Sequence, residues 1–305
     1  FSSIRSFYSE GGAIYLYLNQ NLASSNIFTK CIFYDCQSQN GGAIYISTTT
    51  SSESIFDNCT FTNNFVYQRS TSPTDVKGGA LYIERTNSNF TFSAFKNNTS
   101  YSYSSSSSCY SYGGCIYLLK SNCSINECLI TNNTAFGYHY YSGYSRGGFL
   151  YCNSTDIEMH LSKFNNNSII LLTDNFTSIL YSYGGCLYLY NQIKTSLIEA
   201  CEFINNLAIS YKSDKFCDSY GGCMYLDTYS LTVNSSLFYG NYAESEGHYG
   251  QSQGGGVYVY INSNFSLNDC QCHNNFVRTR AQNYFAQGGF INIESSNESS
   301  DNEIS

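Results

Sequence analysis

The stretch Gly11-Gly-Ala-Ile-Tyr-Leu16 returns as Gly41-Gly-Ala-Ile-Tyr-Ile46, and the pair of glycines then recurs at Gly78, Gly113, Gly147, Gly184, Gly221, Gly254 and Gly288. The nine copies start 30, 37, 35, 34, 37, 37, 33 and 34 residues apart, the period of a solenoid, and they span the whole chain. Each unit of such an array touches only its neighbours, so residues 1–305 read as a single all-β domain. The expected architecture is a parallel β-helix of about nine rungs, continuing or stacking beyond both ends. The last residues, 294–305, read as an acidic, Ser-rich tail.

The columns of the repeat support this reading. After the glycines the fourth and sixth residues are aliphatic (Ile14 and Leu16, Ile44 and Ile46, Leu81 and Ile83), the period-two pattern of a half-buried strand. The residue between them is expected to face outward, and it forms a tyrosine column: Tyr15, Tyr45, Tyr82, Tyr117, Tyr151, Tyr188, Tyr225 and Tyr258. A second segment, as in Ser196, Ile198, Cys201, Phe203 and Asn206, has the spacing of two short strands with a corner between them. Its final residue is Asn64, Asn98, Asn133, Asn167, Asn206, Asn241 and Asn275 in successive units, with Cys36 in the first. Asparagine tolerates left-handed backbone and bonds local peptide groups, so stacked identical corners predict an asparagine ladder. Glycine alone combines positive φ with close backbone approach, and each pair is expected to turn the chain into a new rung.

Composition narrows the function. Only 12% of residues are charged, the net charge is −8, and the fourteen Lys and Arg form no stripe, which argues against a nucleic-acid partner. No apolar run approaches a membrane span. The chain starts at Phe1 without a signal-peptide pattern, and is expected to be a mature product or fragment cut through the repeat at both ends.

The GGAI at 11–14 and 41–44, GGAL at 78–81, and Phe-x-x-Asn at Phe61–Asn64, Phe95–Asn98, Phe164–Asn167, Phe203–Asn206 and Phe238–Asn241 together resemble the repeats of chlamydial polymorphic outer membrane proteins. The resemblance implies a surface-displayed, right-handed parallel β-helix used in adhesion. The sequence departs from that family in its many cysteines and Asn-x-Ser/Thr sequons, which suggest secretion from a eukaryotic microbe into an oxidising compartment.

The expected N-glycosylation sites are Asn58, Asn89, Asn97, Asn122, Asn132, Asn153, Asn166, Asn175, Asn234, Asn264 and Asn297. Asn98 also begins a sequon but belongs to the ladder. Cys109 and Cys115, and likewise Cys217 and Cys223, lie six residues apart across the flexible glycines, and each pair is expected to close a small disulfide ring. Cys31 and Cys59 share an inward column in adjacent rungs, within the span a disulfide accepts. Cys270, Cys272 and His273 have no second ligand pair, so neither a metal nor another cofactor is expected besides covalent N-linked glycans.

Between ladder Asn and the next glycines lies an insertion of four residues in the first unit and 12 to 16 in the others, read as recognition loops or as a cover for the tyrosines. Glu84, Asp227 and Glu294 share a column but stand four and two rungs apart, too sparse for paired-carboxylate catalysis, so no catalytic residue is assigned. The first functional reading is an extracellular glycosylated subunit of a surface filament, coat or appendage whose identical copies stack end to end. An adhesin or carbohydrate-binding β-helix is the alternative, and a polysaccharide lyase or hydrolase the third.

Overall fold

The computed structural model describes all residues except 7–9, 19–24, 154–155, 174–177, 191–194, 229, 261–263, 295–302 and 305. Among the described residues every regular element is a strand, and every strand pairing is parallel and joins one turn to the next. Seven complete turns run from Gly41 to Gly288, flanked by a partial coil at each end, so the expected nine rungs count those two coils as well.

Each turn follows the same path. After the glycines a strand such as Leu81–Thr91 lays down two sides of the coil, bending at Arg85 (φ 55°). A left-handed residue, Phe92 in this turn and Asn58, Glu127, Leu161, Ala200, Ser235 or Asp269 in others, then turns the chain into a three-residue strand. Those short strands form the 8-stranded sheet. The central residues of seven of them, Phe33, Phe61, Phe95, Ile130, Phe164, Phe203 and Phe238, are fully buried in one in-register column, which ends at the half-buried Cys272. Neighbouring rings stack, Phe164 on Phe203 at 4.7 Å and Phe203 on Phe238 at 5.0 Å. Each such ring removes roughly 1.5–3 kcal/mol of apolar surface from water, which fixes the register turn by turn.

The insertions are strands. In Thr99–Ser104 the chain runs out from the coil and in Cys109–Tyr112 it returns, and the same excursion repeats in every later turn, building a 12-stranded sheet folded on itself. This wing projects from one corner and replaces the expected loops. Of the acidic tail, Glu294 and the strand Glu303–Ile304 are described, and the latter pairs with the strand Asn264–Asn268.

Candidate functional site

The ladder consists of charge-free hydrogen bonds in a dry environment. Asn64 Nδ2 donates to Asn98 Oδ1 (2.9 Å), Asn98 to Asn133 (2.9 Å), Asn133 to Asn167 (2.9 Å), Asn167 to Asn206 (3.0 Å), Asn206 to Asn241 (2.9 Å) and Asn241 to Asn275 (2.8 Å). In the first turn the Cys36 amide donates to Asn64 Oδ1 (3.1 Å). The left-handed backbone belongs to the residue before each ladder member: Asp35, Asn63, Asn97, Asn132, Asn166, Asn205, Gly240 and Asn274 have φ between 53° and 65°. Two neighbouring asparagines thus divide two tasks that the sequence had suggested for one.

The tyrosine column does not lie in the open. Its rings stack face to face at 4.4 to 5.2 Å from Tyr45 to Tyr258, but Tyr82, Tyr117, Tyr151, Tyr188, Tyr225 and Tyr258 are buried beneath the returning strands of the wing, which lay Tyr112, Tyr183 and Tyr220 over them. Only Tyr15, in the first coil where the insertion is short, remains exposed. A cation is built into this layer. The Arg146 guanidinium lies 5.2 to 5.6 Å from the ring centres of Tyr112, Tyr144, Tyr183 and Tyr188, and Lys77 Nζ stands 5.7 Å from Tyr117.

The wing is packed with small residues. Ser100 and Ser111 hydroxyls meet at 2.8 Å, Ser182 and Ser210 at 2.7 Å, and Ser245 and Ser252 at 2.8 Å; Ser219 donates to Glu244 O (2.7 Å). In the middle turn, Gly137 and Gly143 leave room for the buried His139 ring, whose Nδ1 contacts Cys109 Sγ at 3.0 Å. Burial pulls this imidazole down to about 3, so it is neutral at physiological pH. The wing's outer face is aromatic: Tyr67 stacks on Tyr101 (5.2 Å) and Tyr103 on Tyr138 (5.2 Å), continuing in register into Ile170, Leu172 and Tyr211. It ends at Arg69, over Tyr103, and at Glu244, which Arg280 meets at 3.3 Å.

Residues 58–84 match the Chlamydia polymorphic membrane protein repeat. The matched segment runs from the left-handed Asn58 through ladder Asn64 and the first wing excursion to the strand that follows Gly78 and Gly79. The next turn pairs in register with this segment, Phe95 with Phe61 and Leu118 with Ile83. No curated protein and no solved structure matches the chain.

Among the described residues no two cysteines are joined by a disulfide. The two expected rings are not brought together, because the glycine corner separates their members: Cys115 and Cys223 point into the main core, whereas Cys217 lies in the core of the wing and Cys109 beside His139. Cys31 does lie beside Cys59, whose thiol burial pushes up to about 11. The sequence reading missed a second stacked pair, Cys186 and Cys223, joined by the Cys186 amide donating to Cys223 O (2.8 Å).

Among the sequons, Asn58, Asn97, Asn122, Asn132, Asn166 and Asn264 are exposed, Asn89, Asn153 and Asn234 are half-buried, and Asn175 and Asn297 lie outside the described residues. Asn98 uses both amide hydrogens, one on Asn133 Oδ1 and one on Phe61 O (3.0 Å), in a fully buried position. A glycan would remove one of them. In a glycosylating host, site-resolved glycopeptide mass spectrometry is expected to place sugar on Asn97 and none on Asn98; sugar mainly on Asn98 would contradict the ladder.

Acids also gather where the sequence columns showed none. Glu53, Asp156 and Glu158 line a shallow polar depression of about 360 Å³ with Asn87, Asn89 and Asn122. Asn89 Nδ2 donates to Glu53 (2.9 Å), and Asn122 and Asp156 amides follow one another up the coil on Asn87 and Asn122 Oδ1. Reading Glu53, Asn87, Asn122 and Asp156 as one column across four turns would have found it. Of the four histidines, His139 is buried and His160 is paired with Glu199 at 3.3 Å.

Proposed function

We propose that the protein is a surface-displayed structural β-helix whose copies stack end to end. The surface assignment rests on the likeness to the polymorphic membrane protein repeat. The assembly reading is carried by one observation: at each end of the array, strands present an unpaired edge in the same register that all internal turns use. Among the described residues Ile14–Leu18 and Ser25–Thr29 do so at one end, where Phe1–Ser3 already pairs with Ile32–Tyr34, and Gln271–His273, Phe276–Gln287 and Ile291–Ile293 do so at the other. Unprotected parallel edges accept a further strand, and a head-to-tail contact of this kind does not close, so repetition gives a filament. No catalytic step is assigned, because Glu84 is held by Arg85 and Ser47 and stands turns away from Asp227 and Glu294.

Adhesion through the wing is the second reading, favoured by its half-buried aromatic outer face. Negative-stain microscopy of the purified chain tests the first: fibres with an axial subunit spacing of roughly 40 Å are expected from eight turn intervals at about 4.8 Å each. A strictly monomeric protein at high concentration would remove the filament and leave adhesion.

A further inference from the structure

Near the last turn the layer that covers the tyrosine column opens. Tyr183, Tyr220, Tyr225, Tyr258, Tyr260 and Glu294 line an open cavity of about 220 Å³. The cause is a change in the returning column, which runs Lys77, Tyr112, Arg146, Tyr183, Tyr220, Gln253. Gln253 is shorter than the rings before it and turns aside, donating to Gln251 (3.0 Å) and accepting from Asn292 (2.6 Å). We propose that this cavity is a binding site for an organic cation, a guanidinium or alkylammonium group.

Three observations carry the assignment. The walls are ring faces and edges: Tyr183 stands edge-on to Tyr225 (4.9 Å, 76°), Tyr220 edge-on to Tyr258 (4.9 Å, 60°), and Tyr225 stacks on Tyr258 (5.2 Å). Such faces carry negative quadrupole potential and attract cations. The acids lie where they reinforce it, with Glu294 on the cavity wall accepting from the Tyr258 hydroxyl and Asp218 behind Tyr220 accepting its hydroxyl (3.1 Å). The third observation is internal. The same two tyrosine columns already hold a guanidinium, Arg146, and Tyr183 forms a wall of both places. Glu84, the acid at the equivalent position nearer the start, has Arg85 beside it at 3.4 Å. Among the described residues no cationic side chain lines the cavity beside Glu294. An incoming cation would supply there what Arg146 and Arg85 supply elsewhere.

The test uses the whole chain, with choline and N-ethylguanidinium as probes and 3,3-dimethylbutan-1-ol as the uncharged analogue of choline, titrated by calorimetry. At least one cation is expected to bind about tenfold or more tightly than the neutral alcohol, and the one that binds more tightly assigns alkylammonium or guanidinium. Glu294→Gln and Tyr260→Leu are each expected to weaken that binding several-fold, whereas Tyr15→Leu, on the exposed first ring, leaves it unchanged. Equal binding of the alcohol, no saturation by either cation at about 50 mM, or wild-type affinity in Glu294→Gln would overturn the proposal. Glu294 is exposed, so its variant decides the matter even if Tyr260→Leu fails to fold. Filament formation is scored separately on the same variants, which keeps this test independent of the assembly reading.

Discussion

Replacing Gly185 with alanine is expected to prevent the chain from folding, or to cost more than about 4 kcal/mol. A β-carbon at that position would lie 2.0 Å from the carbonyl oxygen of Gly222 and 2.4 Å from the carbonyl carbon of Leu207. Both obstacles are backbone, one in the next turn and one in the strand that starts the wing, and neither can move without separating the turns. The first glycine of each pair has a different duty. Gly184 takes φ +70°, where a side chain is strained by its own backbone. The two halves of the motif therefore fail for separate reasons, conformational at the first and steric at the second. Gly240→Asn provides the contrast: Gly240 has φ +65°, but it occupies the corner where other turns carry Asn, and its β-carbon would meet only the Asn205 side chain. That substitution is expected to change stability by no more than about 1 kcal/mol. Far-UV circular dichroism and denaturant unfolding of the two variants would check the pair, and a well-folded Gly185→Ala protein would refute the account of the corner.

Asn206→Ala is expected to destabilise by about 3 to 5 kcal/mol, against about 1 kcal/mol for its exposed neighbour in Asn205→Ala. Asn206 Oδ1 accepts from both the backbone amide and the Nδ2 of Asn167 (3.0 Å each), and its Nδ2 donates to Phe164 O (2.9 Å) and Asn241 Oδ1 (2.9 Å). Truncation leaves these partners buried without replacement. Asn205 loses only its tolerance for φ 54°, a conformation Ala200 already adopts at another corner. Equal shifts in the denaturation midpoints of the two variants would contradict the ladder.

The coil was legible because its columns combine a constraint of shape with one of chemistry. Glycine is required at Gly184 and Gly185, an inward ring at Phe203 and a buried amide at Asn206, and each requirement returns once per turn. The wing was not legible because its alternation is inverted. In Thr99–Ser104 the buried residues are Ser100, Ser102 and Ser104 while Tyr101 and Tyr103 face out. Small hydroxyls inside and aromatics outside read as an adaptable loop, although two closely apposed sheet layers leave room for little more than a hydroxyl pair. Of the two readings of the insertions, the structure bears out the cover for the tyrosines, since Tyr112, Tyr183 and Tyr220 of the wing pack over the column. The cysteine rings failed because sequence proximity across a glycine corner does not place Cys109 and Cys115 on the same side of a wall.

Every bond of the ladder joins residues 34 to 39 apart, whichever turn it belongs to. The chain closure needed to add a turn is therefore the same at the tenth turn as at the second, because its entropy depends on the length of one loop and not on that of the whole chain. Once a first pair of turns has met that cost, each further turn docks on a finished template, and the folding time scales with the number of turns rather than rising steeply with overall size. Lengthening such a molecule by duplicating a repeat is then kinetically mild.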